Sequence, residues 1–250
     1  DHRSVIVNDF DLFLSDDRYK KFKQNRKNES LSAEEINEIE DFLNKRFSGK
    51  ADMFVRDGFF DDKNNLLDSD LNIDKNKKNI FLFSNIYWDI GVSDTAKLYP
   101  GVIEWVLDTI KLCADKDDLH LYIKPHPGEI FDSSQSLKTV TDFIYEEFDS
   151  LPSNISIIDP SLKLNTYDLF PYVDLGLIYN GTVGLEMMIH NIPVVSVAKT
   201  SYEGLGFSYE PKTRKEYAEF LISQSIESVS SPELLTYAYF YFIKTQIPFD

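Results

Sequence analysis

Leu119-His120-Leu121-Tyr122-Ile123-Lys124-Pro125-His126-Pro127-Gly128-Glu129 is the stretch on which the fold turns. An apolar run of this length, stopped by proline and glycine, reads as a buried strand from Leu119 to Lys124. The two proline rings fix φ at Pro125 and Pro127 and hold the residues before them in extended conformation. The strand therefore delivers Lys124 and His126 to its carboxyl end on a stiff turn. Downstream, Leu175 to Tyr179 is a second apolar run, and Asn180-Gly181-Thr182-Val183-Gly184-Leu185-Glu186 follows it and opens a helix. Upstream, Asn79 to Ser84 is a third such run, followed by Asn85-Ile86-Tyr87-Trp88-Asp89-Ile90-Gly91. Between and beyond these the pattern alternates. Helices are predicted over Asp94–Ala114, Ser136–Phe148, Thr166–Tyr172, Thr182–His190, Thr213–Ser223 and Pro232–Ile243. Further strands are predicted over Ile155–Ile158 and Pro193–Ala198. Strands separated by helices make parallel βαβ units, so residues 79–250 predict an α/β doubly wound parallel sheet of Rossmann-like type.

Residues 1–78 read differently, as a partial N-terminal region and linker. Ser4 to Val7 is a possible strand, and Asp9 to Lys27 is polar and mixed. Ser32 can cap a helix, and Glu35 three residues on can close a capping box. That helix should run to about Phe47 with Ile36, Ile39, Phe42 and Leu43 on one face, stopped by Gly49. Asp61 to Lys78 is crowded with Asp, Asn and Lys and reads as a solvated linker. The chain starts at Asp1 rather than Met, which reads as a processed chain or a piece of a longer one.

The chain has 250 residues, 42% of them hydrophobic, with 19 Phe and 14 Tyr, enough for a sizeable core. Its net charge of -16 argues against a general nucleic-acid binder, because phosphate backbones need clustered Lys and Arg. It argues equally against broad contact with anionic lipid, while leaving room for one local basic pocket. The single cysteine, Cys113, lies in an apolar helical run and reads as a buried inert thiol. No Cys/His cluster suggests a metal, so neither metal nor cofactor is expected. No apolar stretch reaches the ~20 residues of a membrane span, and no signal peptide is recognised. A cytoplasmic location follows as an expectation.

Four places carry possible chemistry. His126 could donate a hydrogen bond or a proton to a departing phosphate oxygen, with Lys124 as a nearby cation and Pro127 stiffening the turn. The helix opening at Thr182 offers free N–H groups to an anion, and Gly181 allows close approach. Gly184 lets that helix pack tightly, Asn180 precedes it, and Glu186 one turn in could accept from ribose hydroxyls. Asn85 and Asp89 could hold sugar hydroxyls and Trp88 could stack on a ring. Ser201-Tyr202-Glu203-Gly204-Leu205-Gly206-Phe207 could close over a ligand, with Tyr202 in contact, or be a plain loop. Asp9-Phe10-Asp11 resembles a metal-binding pair but is expected by chance among 42 acids. His2, His120 and His190 read as structural or surface residues. No nucleophile motif of the Gly-x-Ser-x-Gly kind is present.

Taken together, Lys-Pro-His-Pro-Gly-Glu after a strand, Asn-Gly-Thr-Val-Gly-Leu-Glu after another, Ile-Pro-Val-Val, and Tyr-Glu-Gly-Leu-Gly-Phe resemble the capsule polysaccharide biosynthesis proteins. That family includes bacterial Kdo transferases. The resemblance runs from about Ile80 to Phe220. It implies the C-terminal half of a B-type glycosyltransferase, which binds a nucleotide-sugar donor and generally needs no metal. Carried onto this chain, it implies His126 and Pro127 on the donor phosphate, Thr182 and the Gly181–Gly184 helix start on the same phosphate, and Glu186 on the ribose. The implied function is transfer of a sugar such as Kdo from a CMP-sugar to a glycan or glycolipid acceptor. Peripheral association with the inner face of the membrane would come through a glycan assembly complex. Asp89 is the in-chain candidate for the base. A full N-terminal half needs well over a hundred residues, so that half is expected to be reduced here or to lie outside this chain. Two alternatives remain open on the sequence: a related enzyme (a UDP-sugar epimerase or a polyol-phosphate transferase), or a non-catalytic nucleotide-sugar-binding scaffold.

Overall fold

The computed structural model describes residues 4–6, 16–48, 71, 73–89, 94–130, 136–162, 164–223, 225–229 and 231–248. Its centre is β2 (Lys78–Phe83), which pairs in parallel with β3 (Leu119–Lys124) on one side and β5 (Leu175–Ile178) on the other. β4 (Ile155–Ile157) extends the sheet beyond β3, and β6 (Val194–Ser196) extends it beyond β5. The spatial order is thus β4-β3-β2-β5-β6. Numbered along the chain within this sheet, that is 3-2-1-4-5, the order of a doubly wound Rossmann-like sheet, with its switch point between β2 and β5. A separate antiparallel ribbon joins β1 (Ser4–Ile6) to β7 (Gln246–Pro248).

Side-chain alternation along the strands builds two cores. Ile80, Leu82, Leu121, Ile123, Leu175 and Leu177 face one side. There they pack against α3 (Val102–Cys113), α4 (Val140–Glu147) and α6 (Arg214–Ile222) through residues such as Trp105, Ile110, Val140, Ile144, Tyr217 and Leu221. Phe81, Phe83, Tyr122, Ile178 and Val194 face the other side. That side is covered by α5 (Thr182–Ile189), the 3-10 helix Thr166–Tyr172 and α7 (Pro232–Tyr239), which runs into a π-helical turn over Phe240–Lys244.

The N-terminal helices belong to this second core. α2 (Ala33–Phe47) carries the expected reciprocal cap: Ser32 Oγ accepts from Glu35 N, and Ser32 N donates to the Glu35 carboxylate at 2.8 Å. Ile39 and Leu43 of α2 are buried. α1 (Asp16–Asn25) was not foreseen, because the stretch Asp9 to Lys27 is polar. Its apolar content is Tyr19 and Phe22, spaced three apart, and these two dock on aromatic rings of the C-terminal helix. Tyr19 meets Tyr237 edge-on at 4.9 Å, and Phe22 meets Phe240 at 5.2 Å. Aromatic packing with remote partners made the helix worthwhile, and no local signal reports that.

Three boundaries differ from expectation. The helix predicted from Asp94 begins only at Val102, after Pro100-Gly101. The residues before it run beside the end of β6, where Leu98 N donates to Val197 O and Lys199 N to Thr95 O. The helix predicted from Ser136 begins at Val140, because Thr139 and Asp142 form a capping box there. Leu137, inside the predicted span, is fully exposed. The Pro232 helix changes to π geometry at Phe240. Most of the Asp61–Lys78 linker, Gly49 and Asp9-Phe10-Asp11 lie outside the described residues, and Lys78 already belongs to β2.

On the α3 side, Trp105 Nε1 donates to the Tyr217 hydroxyl at 2.9 Å, and Thr109 Oγ1 shares that hydroxyl at 2.8 Å, all buried. Tyr217→Phe keeps the ring and strands the indole N–H. The expected loss is about 1–3 kcal/mol in a urea unfolding experiment; an unchanged midpoint would show that this buried triad adds no stability.

Candidate functional site

In an open parallel sheet the crevice for a ligand lies beyond the carboxyl ends of the strands at the switch point. Here that crevice is spanned by side chains. Asn85 follows β2 and Asn180 follows β5. Asn85 Nδ2 donates to Asn180 Oδ1 at 2.8 Å, and Asn180 N donates to Asn85 Oδ1. Asn180 Nδ2 donates in turn to Thr95 Oγ1 at 2.9 Å. Three loops are thereby fixed to one another at the reversal of strand order. Thr95 was missed in the sequence because it sat inside a segment read as helix.

The His126 turn docks beside this crevice. Ser84 N donates to Lys124 O, and Ser84 Oγ accepts from His126 N at 3.2 Å. His126 caps a short 3-10 turn, Pro127–Glu129, by accepting from Gly128 N at its Nδ1, 3.0 Å away. An acceptor nitrogen carries no proton, so the neutral ring holds its proton on Nε2. The turn thus presets His126 as an Nε2–H donor. Lys124 is buried at the end of β3, on the same sheet face as Phe83 and Tyr122. Pro127 is half-buried within the turn. Glu129 is fully buried, and its carboxylate accepts from Val140 N, which ties the turn to the start of α4.

The third wall is the start of α5. Gly181 has φ +111°, a region closed to residues with a Cβ, and supplies no side-chain cap. Gly184, one turn in, has no room for a methyl group: a Cβ would collide with the Tyr202 hydroxyl and the tip of Ile178. Tyr202 is buried and donates from its hydroxyl toward Gly181 O at 3.4 Å, so it backs the helix start rather than lining the crevice. Burial also pushes the Tyr202 phenol far above its ordinary pKa. The rest of its loop is tied down by Glu203 to Lys97 at 2.5 Å and by Gly204 N to Glu210 at 2.9 Å.

Thr182 and Glu186 have a partner that the sequence did not suggest. Arg46, at the end of α2, donates from Nε to Glu186 Oε1 at 2.6 Å and from Nη2 to Thr182 Oγ1 at 3.3 Å. Tyr167 donates its hydroxyl to Glu186 Oε2 at 3.1 Å. Glu186, expected to accept from ribose, is buried with both oxygens engaged. Arg46 lies in Asn44-Lys45-Arg46, which reads as an ordinary basic last turn of a helix, so its role was invisible without the fold.

Trp88 is half-exposed, and its indole N–H donates to Ser136 Oγ at 2.8 Å, linking the β2 loop to the segment after the His126 turn. Asp89 is exposed in a turn closed by its N–H onto Ile86 O. His120 stacks on Tyr122, and His190 packs edge-on against Phe47 and Phe170, with burial lowering both imidazole pKa values. Cys113 is a buried free thiol. Among the described residues there is no group of three His, Cys, Asp or Glu able to hold a metal. Among them, too, no helix is long and apolar enough to cross a membrane.

Two outcomes follow from this geometry. Burial raises the Glu129 carboxyl from an ordinary 4.5 to about 7. The fold therefore favours the protonated acid, and that contribution is full below 4.5 and lost as the pH rises to about 7. Glu129→Gln should gain melting temperature relative to the parent at pH 8 compared with pH 5, and a difference independent of pH would refute the assignment. Gly184→Ala should lose ~1–3 kcal/mol by overpacking. In a Tyr202→Phe background, where the colliding hydroxyl is gone, the same change should cost less; additive losses in the double-mutant cycle would locate the strain elsewhere.

No curated protein matches this sequence. Among solved structures, the chain is similar to the β-Kdo 2,7-transferase of Thermosulfurimonas dismutans KpsC, at 14% identity and a TM-score of 0.49, over 92% of this chain and 63% of that one. It is similar to the β-Kdo 2,4-transferase of the same KpsC at 16% identity and TM-score 0.48, over 85% and 56%. It is also similar to S. aureus MnaA, solved with UDP, at 18% identity and TM-score 0.42, over 68% and 41%. The chain thus spans less than two thirds of the length of each of these proteins. A family model matches residues 22–240, a span that takes in the switch-point crevice, the His126 turn and Arg46 alike. The chain belongs to the capsule polysaccharide biosynthesis protein family.

Proposed function

We propose that residues 79–250 are the nucleotide-sugar-binding half of a B-type glycosyltransferase of surface or capsular polysaccharide synthesis, with residues 1–78 as a partial N-terminal region and linker. The donor is a CMP-activated acidic sugar such as Kdo, and the acceptor is a glycan or glycolipid at the inner face of the bacterial membrane. The observation that carries this reading is the His126 turn, preset as an Nε2–H donor and docked through Ser84 beside the Asn85–Asn180 bridge. An N–H donor on the loop beside the crevice suits a phosphate that gains charge as the glycosidic bond breaks.

In this mechanism the acceptor hydroxyl attacks the anomeric carbon from the face opposite the nucleotide, and the configuration inverts. A carboxylate takes the hydroxyl proton, with Asp89 the candidate in this chain. The CMP phosphate leaves with the bonding electron pair, stabilised by the His126 Nε2–H, Lys124 and the Thr182 helix start. No metal is needed, because these groups offset the charge on the phosphate. Asn85 and Trp88 border the sugar, and Gly181 and Gly184 allow backbone approach and tight helix packing.

CMP at ~100 times its Kd should add ~2.7 kcal/mol to stability, a rise of several degrees in melting temperature. UDP, GDP and TDP should add little. His126→Ala and Thr182→Ala should each remove most of the CMP shift. A shift with UDP instead would point to a UDP-sugar enzyme. A CMP shift without sugar transfer from CMP-Kdo would point to a binding scaffold.

A further inference from the structure

Glu186 and Arg46 share one ion pair but not one environment. The Glu186 side chain is 2% exposed, whereas Arg46 keeps 20% of its side chain accessible. Glu186 Oε1 takes Arg46 Nε, and Oε2 takes the Tyr167 hydroxyl. Arg46 Nη2 reaches the Thr182 hydroxyl, and the guanidinium lies over the Phe242 ring, 5.6 Å from its centroid. A ligand group arriving at Thr182 therefore meets the guanidinium before it can meet the carboxylate.

We infer that Arg46 is an anion-binding residue of the Thr182 site and that Glu186 is the positioning residue that aims it. This rests on the reading of that site as one for a phosphate-bearing donor. Charge supports it. A lone buried carboxylate at Glu186 would repel a phosphate held at Thr182, and pairing with Arg46 removes that repulsion. Geometry supports it as well. A guanidinium carries five N–H donors in a fixed fork, so pairing through Nε with Glu186 sets Nη2 at the Thr182 hydroxyl, where a phosphate would arrive. Glu186 and the Phe242 ring hold the fork from two sides, which lowers the entropy lost when a ligand binds. Ribose recognition passes away from Glu186 in this arrangement.

The test is titration of the full chain with CMP, 2′,3′-dideoxy-CMP and inorganic pyrophosphate, for the parent, Arg46→Lys, Glu186→Gln and the double variant Arg46→Gln/Glu186→Gln. The double variant keeps the shape of the pair and its capacity for a hydrogen bond without buried charge. It should melt near the parent temperature and bind CMP and pyrophosphate at least tenfold more weakly. Arg46→Lys should fall between the two, and it serves alone if the double variant does not fold. The parent should bind CMP and its dideoxy analogue within a fewfold of each other. Parent-like binding by the double variant would overturn the inference and leave the pair as a fold contact. A tenfold preference of the parent for CMP over the dideoxy analogue, lost in Glu186→Gln, would restore Glu186 to the ribose. Pyrophosphate binding that depends on Arg46, without any nucleotide binding, would sustain the inference and remove the CMP reading. A parent that binds neither would remove both.

Discussion

The parallel pairing of β2 on both of its edges governs the rest of the molecule. A strand with parallel neighbours on either side cannot be reached by tight turns, so each connection must cross a face of the sheet. The crossovers bring helices to both faces and bury β2 from both sides: Ile80 and Leu82 face α3, while Phe81 and Phe83 face the aromatic core. Because β3 and β5 leave β2 in opposite directions, their following loops part at the carboxyl end. The crevice is therefore a consequence of topology, and the only question left to the sequence is which side chains stand there.

Those side chains are polar and are held mainly by one another. Asn85, Asn180 and Thr95 form a hydrogen-bonded chain across the reversal. Ser84 supports the His126 backbone, and Gly128 fixes the tautomer of the ring. A chain of net charge -16 also brings Lys124 and Arg46, beside the His126 Nε2–H donor, to one end of its sheet. Such local cationic character within an acidic protein suits one anionic ligand while the remaining surface repels others.

The ion pair of Arg46 and Glu186 joins regions 140 residues apart. Removing one partner from a buried pair leaves an uncompensated charge, which costs more than the intact pair contributes. α2 is thereby coupled to the start of α5 through charge, while Ile39 and Leu43 bury it in the same apolar core. The C-terminal aromatic helix closes the same core, with Tyr237 and Phe240 against α1 and Phe242 against Phe42.

Local chemistry determined much of this from the sequence alone. Leu119–Lys124 is a strand because an apolar run ends at proline, and Ala33–Phe47 is a helix because Ser32 and Glu35 cap it. Gly181 marks a turn that needs positive φ. The placement of His126 and Asn180 at strand ends was legible too, since each follows an apolar run at a break. What only the tertiary structure decided depends on partners far along the chain. α1 exists because Tyr19 and Phe22 find rings beyond residue 230. Leu137 is exposed because Thr139 starts the helix after it. Tyr202 backs α5 because Gly184 leaves room for its hydroxyl. Arg46 turns from a surface cation into the partner of Glu186 only when α2 joins the second core. Periodicity and capping act over a few residues and are written in the order of the chain. Ion pairs and aromatic contacts depend on distances that exist only after the chain has closed on itself.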